Sequence, residues 1–212
     1  MKIQTFTFSP FQENANVIWD EISRETIIVD PSCLSIDEEN ILEKFIADNN
    51  LIVKYLFNTH GHLDHIFGNA FVVKTYNPIH YGPEKDLPLF DRAVEQADGF
   101  GLKMTEPPKP KNFFDEAEKI QFGNEQITLI FTPGHTPGEY CIYFPKSSFC
   151  ITGDVLFKES IGRTDLWGGD YNTLMSSIKD KLLTLPIDTV IYPGHGNNST
   201  IKYELENNPF LS

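Results

Sequence analysis

Apolar positions along this chain fall into short runs of period two or of continuous hydrophobic character, separated by a few longer stretches of helical period. Segments 2–8, 15–19 and 26–29 are rich in β-branched and aromatic residues and predict three strands. Asp30-Pro31 stops the third, since proline cannot donate to a ladder. A helix is expected over about 37–47, with Ile41, Leu42, Phe45 and Ile46 on one face, and 51–57 reads as a buried strand. Helical character resumes over 65–76 and 85–97, around a short strand at 79–81. The stretch 98–111 contains Pro107, Pro108 and Pro110 and is expected to be a surface loop or lid. Four strands follow at 119–122, 126–131, 140–144 and 148–152, then a helix at 173–183, a strand at 189–192 and a last helix near 199–206. Strands, helix, strands and helix in that order indicate an α/β protein and are compatible with a four-layer αββα sandwich, two mixed β-sheets with helices outside. No tandem repeat or low-complexity tract interrupts the pattern.

Length and charge narrow the picture. A chain of 212 residues is expected to form one domain, residues 1–212, with a substantial core. Thirty acidic against 17 basic residues give a formal charge of -13, a field that repels phosphate backbones and anionic lipid surfaces, so neither nucleic acid nor membrane is an expected partner. The first residues lack the apolar run of a signal peptide and no later stretch reaches the length of a membrane span, so a cytoplasmic protein is expected. Cys33, Cys141 and Cys150 lack metal-ligand spacing and read as buried free thiols.

Chemistry concentrates in four places where a hydrophobic strand runs into a turn displaying His or Asp: LFNTHGHLDH with His60, His62, Asp64 and His65, IFTPGHTPG with His135, CITGDVLF with Asp154, and VIYPGHG with His195. Five of the six histidines lie in these turns. Strand ends let side chains converge while their backbones stay anchored in a rigid sheet, as a preorganised metal site requires. His60 and His62 can grip one ion from the same side of an extended backbone, whereas Asp64 and His65, entering the next helix, turn away. Four potential ligands in six residues carry desolvation and repulsion costs that cations relieve, so two neighbouring ions are expected, with further ligands from His135, Asp154 and His195. Asp154 has two oxygens with which to bridge them. Mixed imidazole and carboxylate donors suit Zn2+, with iron or manganese tolerable. His80 matches no ligand motif and reads as structural, and Asp30 reads as a support for the first ligand turn or as a strand-end cap. Trp167 reads equally as a pocket-lining or a core-covering residue.

THGHLDH, TPGHTPG, TGDVLF and YPGHG, in that order and over nearly the whole chain, resemble the metallo-β-lactamase superfamily, and within it the glyoxalase II (hydroxyacylglutathione hydrolase) branch. The resemblance implies the αββα sandwich and two divalent ions, one held by His60, His62 and His135, the other by Asp64, His65 and His195, with Asp154 bridging and catalysis depending on Asp64 and Asp154. It implies hydrolysis of a small-molecule thioester such as S-lactoylglutathione by a metal-bridged hydroxide. Glyoxalase II proper has a further C-terminal helical domain, whereas 17 residues follow His195 here (212 minus 195), so the likeness is to the short single-domain hydrolases. In FKESIGRTDLWGGD, Arg163 and Asp165 stand where glyoxalase II places a Lys and a Tyr. Arg163 is a candidate to bind a substrate carboxylate, the alternative being an ion pair with Asp165 or Glu159. GRTDL also resembles persulfide dioxygenases of the same superfamily, which leaves an iron-dependent sulfur dioxygenase and a non-catalytic metal-binding module as alternatives; a secreted β-lactamase is disfavoured by the absence of an export signal.

Overall fold

Apolar residues in the N-terminal half build a sheet whose inner strands, such as those over 13–19 and 25–29, are buried on both faces. This structure, a computed structural model, describes residues 1–211 and divides into two compact units, Met1–Phe113 and the chain from Phe114 onward. The first unit carries β1 (Lys2–Phe8), β2 (Glu13–Trp19), β3 (Glu25–Val29), β4 (Ile52–Phe57), β5 (Ile79–Gly82) and β6 (Asn112–Phe113), hydrogen-bonded in sequence order. β1, β2 and β3 pair antiparallel, and β3 through β6 pair parallel. The parallel half needs crossovers, which α1 (Ile36–Asp48), α2 (Leu63–Ile66), α3 (Asn69–Tyr76) and α4 (Leu87–Gly99) supply. Ala15, Val17, Ile28 and Leu56 on one face pack with Leu42 and Ile46 of α1 and Val72 of α3. Ile18, Ile27 and Phe57, one residue out of phase, are fully buried on the other face, the signature of a sheet covered on both sides. Each such side chain contributes about 2 kcal/mol by burial. Ser35 and Glu38 form a reciprocal capping box at the start of α1.

The second unit carries β7 (Ile120–Phe122), β8 (Glu125–Phe131), β9 (Tyr140–Phe144), β10 (Phe149–Gly153), the small hairpin β11 (Leu156–Phe157) and β12 (Ser160–Ile161), then α5 (Tyr171–Asp180), β13 (Val190–Pro193), β14 (Ser199–Thr200) and α6 (Ile201–Asn207). Its main sheet runs β14-β13-β10-β9-β8-β7 and is mixed, with β10 and β13 parallel and the other pairs antiparallel. Ile130, Cys141, Cys150 and Ile191 pack with Leu174 and Ile178 of α5 and Ile201 of α6. The chain is thus an α/β protein of two mixed sheets with helices, as the pattern predicts. Among the described residues no helix is long and apolar enough to cross a membrane, and all three cysteines are free and buried. Burial raises the Cys33 thiol to about 12.

Three expectations need correction. The helix expected over 65–76 breaks between α2 and α3, because Gly68 donates its N–H to Pro31 O at 2.5 Å and a Cβ there would lie 2.4 Å from Cys33 Sγ. The last helix starts two residues late: Ser199 and Thr200 pair with β13, and the Thr200 hydroxyl then caps α6 by accepting the Tyr203 N–H. The segment after Asp154, for which the pattern predicts no element, contains the β11–β12 hairpin, whose turn places Glu159 at φ 58 with its N–H donated to the buried Glu204 carboxylate at 2.8 Å. The proline-rich stretch carries no helix or strand between α4 and β6, as expected.

Candidate metal centre

In the first unit β4 delivers Asn58, Thr59 and His60 at its C-terminal end, and His62 then caps the start of α2 with Asp64 in its first turn, where the exposed N–H groups favour an anion. The turn is held by buried acids and amides from other elements. Asp30, left-handed at φ 49, accepts the Thr59 N–H on Oδ1 at 2.8 Å and the Thr59 hydroxyl on Oδ2 at 2.6 Å. This is the supporting role that one reading of the sequence gives Asp30. Asp86 accepts the Gly61 N–H at 3.0 Å, and a Cβ on Gly61 would come within 2.9 Å of Asp86 O, so only glycine fits between His60 and His62. Asn58 donates to the His65 carbonyl at 3.3 Å, bracketing the ligand turn from both ends.

The hydrogen bonds decide which ring nitrogens face a metal. Because the Thr59 hydroxyl gives its proton to Asp30, its oxygen accepts from His60 Nδ1 at 3.1 Å. His65 Nδ1 lies 3.1 Å from Asp30 Oδ2 and donates to it. Both rings therefore carry the proton on Nδ1 and present Nε2 as a lone pair, the arrangement usual for a ligating histidine with a carboxylate behind it. His60 Nε2 lies 3.1 Å from His62 Nδ1. Two ligands on one tetrahedral ion with bonds of about 2.05 Å stand about 3.3 Å apart, so this spacing suits a shared cation. His80, as expected, is structural: it is buried and donates from Nε2 to Asn58 Oδ1 at 2.7 Å, and burial lowers it to about 4, keeping it neutral.

The second unit assembles its own set. His135 follows β8, Asp154 follows β10 and His195 follows β13, and the Gly194 N–H donates to Gly153 O at 2.8 Å, tying the last two turns together. His135 Nε2 and His195 Nε2 lie 3.5 and 3.7 Å from the same oxygen, Asp154 Oδ2, again near the spacing of common ligands. His135 Nδ1 donates to the Arg163 carbonyl at 2.7 Å, which turns Nε2 into the acceptor here too. The Asp154 N–H donates to the buried Glu139 carboxylate at 2.8 Å. Arg163 makes a bidentate pair with Asp165, 2.7 and 2.8 Å, both side chains being exposed, and the guanidinium holds the Asp165 carboxyl down to about 2. Trp167 is half exposed.

Of the seven candidate ligands, His60, His62, Asp64 and His65 are on the first unit, the last two within α2, and His135, Asp154 and His195 are on the second, each in a turn that follows a strand. The supporting acids Asp86 and Glu139 escape the sequence reading, since single charged residues at strand ends and turns look like solvated surface. Their only sequence signal is a lone acid beside an apolar run, which is too common to select.

Mixed sheets with helices and sets of imidazole and carboxylate donors suited to two metal ions define a metal-binding α/β class. The profile of the metallo-beta-lactamase superfamily matches residues 8–195, and this chain belongs to that superfamily. It is 38% identical to the hydroxyacylglutathione hydrolase GloC of Haemophilus influenzae, over 100% of this chain and 99% of the relative. Among solved structures it is similar to the BLEG-1 B3 metallo-beta-lactamase (TM-score 0.91, 31% identity, all of both chains) and to TTHA1623 in a di-iron-bound form (TM-score 0.88, 35% identity, 98% and 100% of the two chains).

Proposed function

We propose that the chain is a cytoplasmic thioesterase that hydrolyses a 2-hydroxyacyl-glutathione such as S-lactoylglutathione, with His60, His62 and His135 holding one ion, Asp64, His65 and His195 the other, and Asp154 bridging. One observation carries the reading: His60, His65 and His135 are each locked with the proton on Nδ1, so that Nε2 is offered as a ligand. The full-length likeness to a hydroxyacylglutathione hydrolase supports the substrate class, and zinc, iron and manganese all suit the donors.

Ions bound there would supply a water deprotonated near neutral pH and polarise the substrate carbonyl. The protein's own residues hold that geometry. Asp30, Glu139 and the Arg163 carbonyl fix the ligand turns before substrate arrives, so little reorganisation is needed. No side chain is required as an acid for the leaving group, because a thiol of pKa about 8.5 departs as thiolate. Arg163 is assigned to the substrate carboxylate. Its partner in the structure, Asp165, is exposed, and an exposed pair of this kind is worth about 1 kcal/mol or less, so a substrate carboxylate can take its place.

The test pairs two assays on one metal-loaded sample: thioester hydrolysis with S-lactoylglutathione and with a neutral thioester, and oxygen uptake with glutathione persulfide. Hydrolysis without oxygen uptake is expected, and Arg163→Ala is expected to raise KM roughly five-fold for the carboxylate-bearing thioester alone. Persulfide-dependent oxygen uptake without hydrolysis makes the protein a sulfur dioxygenase, turnover in neither assay by a fully loaded sample makes it a metal-binding module, and equal weakening of both thioesters returns Arg163 to a structural pair with Asp165.

A further inference from the structure

Glu13 opens β2 with its side chain wholly buried, Oε1 standing 3.1 Å from His65 Nδ1. Asp30 Oδ2 stands at the same distance from the same nitrogen, so one imidazole edge faces two buried carboxylates from two different strand ends. The backbone is shaped to bring Glu13 there. In the turn between β1 and β2, Ser9 and Gln12 both take left-handed conformations, φ 59 and 56, which cost non-glycine residues on the order of 1 kcal/mol each. Glu38 accepts the Ser9 N–H, and the Ser32 hydroxyl donates to the Glu13 carbonyl at 3.2 Å.

Asp30 alone suffices to set the His65 tautomer, since it takes the Nδ1 hydrogen bond. A second carboxylate adds something different. Two buried anions beside one ring repel each other and lose their hydration, an arrangement that destabilises the protein by itself. A dication on the opposite nitrogen relieves both terms, and negative charge behind a ligating imidazole raises the basicity of its lone pair. We infer that Glu13 is a positioning residue for the ion held through His65, one whose charge strengthens binding of that ion and weakens the metal-stripped fold. This inference rests on the two-ion reading above.

The experiment compares wild type with Glu13→Gln and Glu13→Leu, which remove the charge at similar volume. Zinc stoichiometry and affinity are measured by competition with a chromogenic chelator, and thermal unfolding is followed on the metal-stripped chains. The expected result is that both variants hold one zinc ion as wild type does and bind the other at least ten-fold more weakly, while stripped Glu13→Gln melts no lower than stripped wild type. Unchanged affinity for both ions overturns the inference, and so does a stripped Glu13→Gln melting well below wild type, because Glu13 would then be supporting the fold. Wild type binding only one ion is the separate failure of the two-ion reading.

Discussion

Asp154→Asn is expected to leave a folded protein whose thioester turnover falls by roughly three orders of magnitude or more and whose metal content drops by at least one ion per chain. The expectation follows from the position of one oxygen. Asp154 Oδ2 is the point on which His135 Nε2 and His195 Nε2 converge, at 3.5 and 3.7 Å. An asparagine keeps the side-chain shape but removes the negative charge and offers N–H protons where an ion needs lone pairs. The backbone at this position is held independently, through the Asp154 N–H on Glu139 and the Gly153 carbonyl on Gly194, so the turn keeps its place when the charge is lost. Circular dichroism, elemental analysis and turnover on the same preparation check the three parts of the expectation. Wild-type turnover with full metal loading removes Asp154 from the proposed bridging role.

Gly162→Ala should be the most damaging single methyl addition near the centre. A Cβ at Gly162 would sit 1.8 Å from Asp154 O and 3.3 Å from His135 Cβ. No rotamer relieves a clash between backbone atoms, and neither segment is loose: the Gly162 N–H donates to Val155 O at 3.2 Å across the base of the β11–β12 hairpin, and Asp154 is held through Glu139. The peptide carrying Asp154 must therefore move. A loss on the order of 3 kcal/mol, equivalent to a fall of about 6–12 °C in Tm for a chain of this size, is expected together with reduced metal content. Gly99→Ala is the control, because nothing lies within 4 Å of a Cβ there and the position is helical. It should melt at or slightly above wild type. Equal melting temperatures for Gly162→Ala and wild type would contradict the packing described for this turn.

These two residues also show what can be read from a sequence like this one. Asp154 is legible, because an apolar strand ending in a glycine and an acid has a local pattern, and the same holds for His60, His62, His135 and His195. Some strands are legible for the same reason: β1 and β9 have the bounds that their residues predict. Gly162 is not legible, since its necessity comes from an oxygen eight positions earlier that folds back upon it. The break at Gly68 is likewise imposed by the Pro31–Cys33 segment, distant in sequence, within a stretch, 65–76, that otherwise suits a helix. The supporting acids fail for a third reason. Glu13, Asp86 and Glu139 are fully buried, yet an acid beside a turn is ordinarily solvated, so residue type argues against the role they have. Arg163 combines both situations. Its side-chain alternatives can be stated from sequence, and its partner in the structure is Asp165, but the job its carbonyl does for His135 has no side-chain signature at all.

The central claim, a thioesterase working through two ions, is tested most directly by adding zinc, iron(II) or manganese in steps to metal-stripped protein and measuring S-lactoylglutathione hydrolysis at each step. Turnover is predicted to be absent at the start and to reach its plateau at about two equivalents per chain. A plateau at about one equivalent, or undiminished turnover in the presence of excess chelator, would contradict the account.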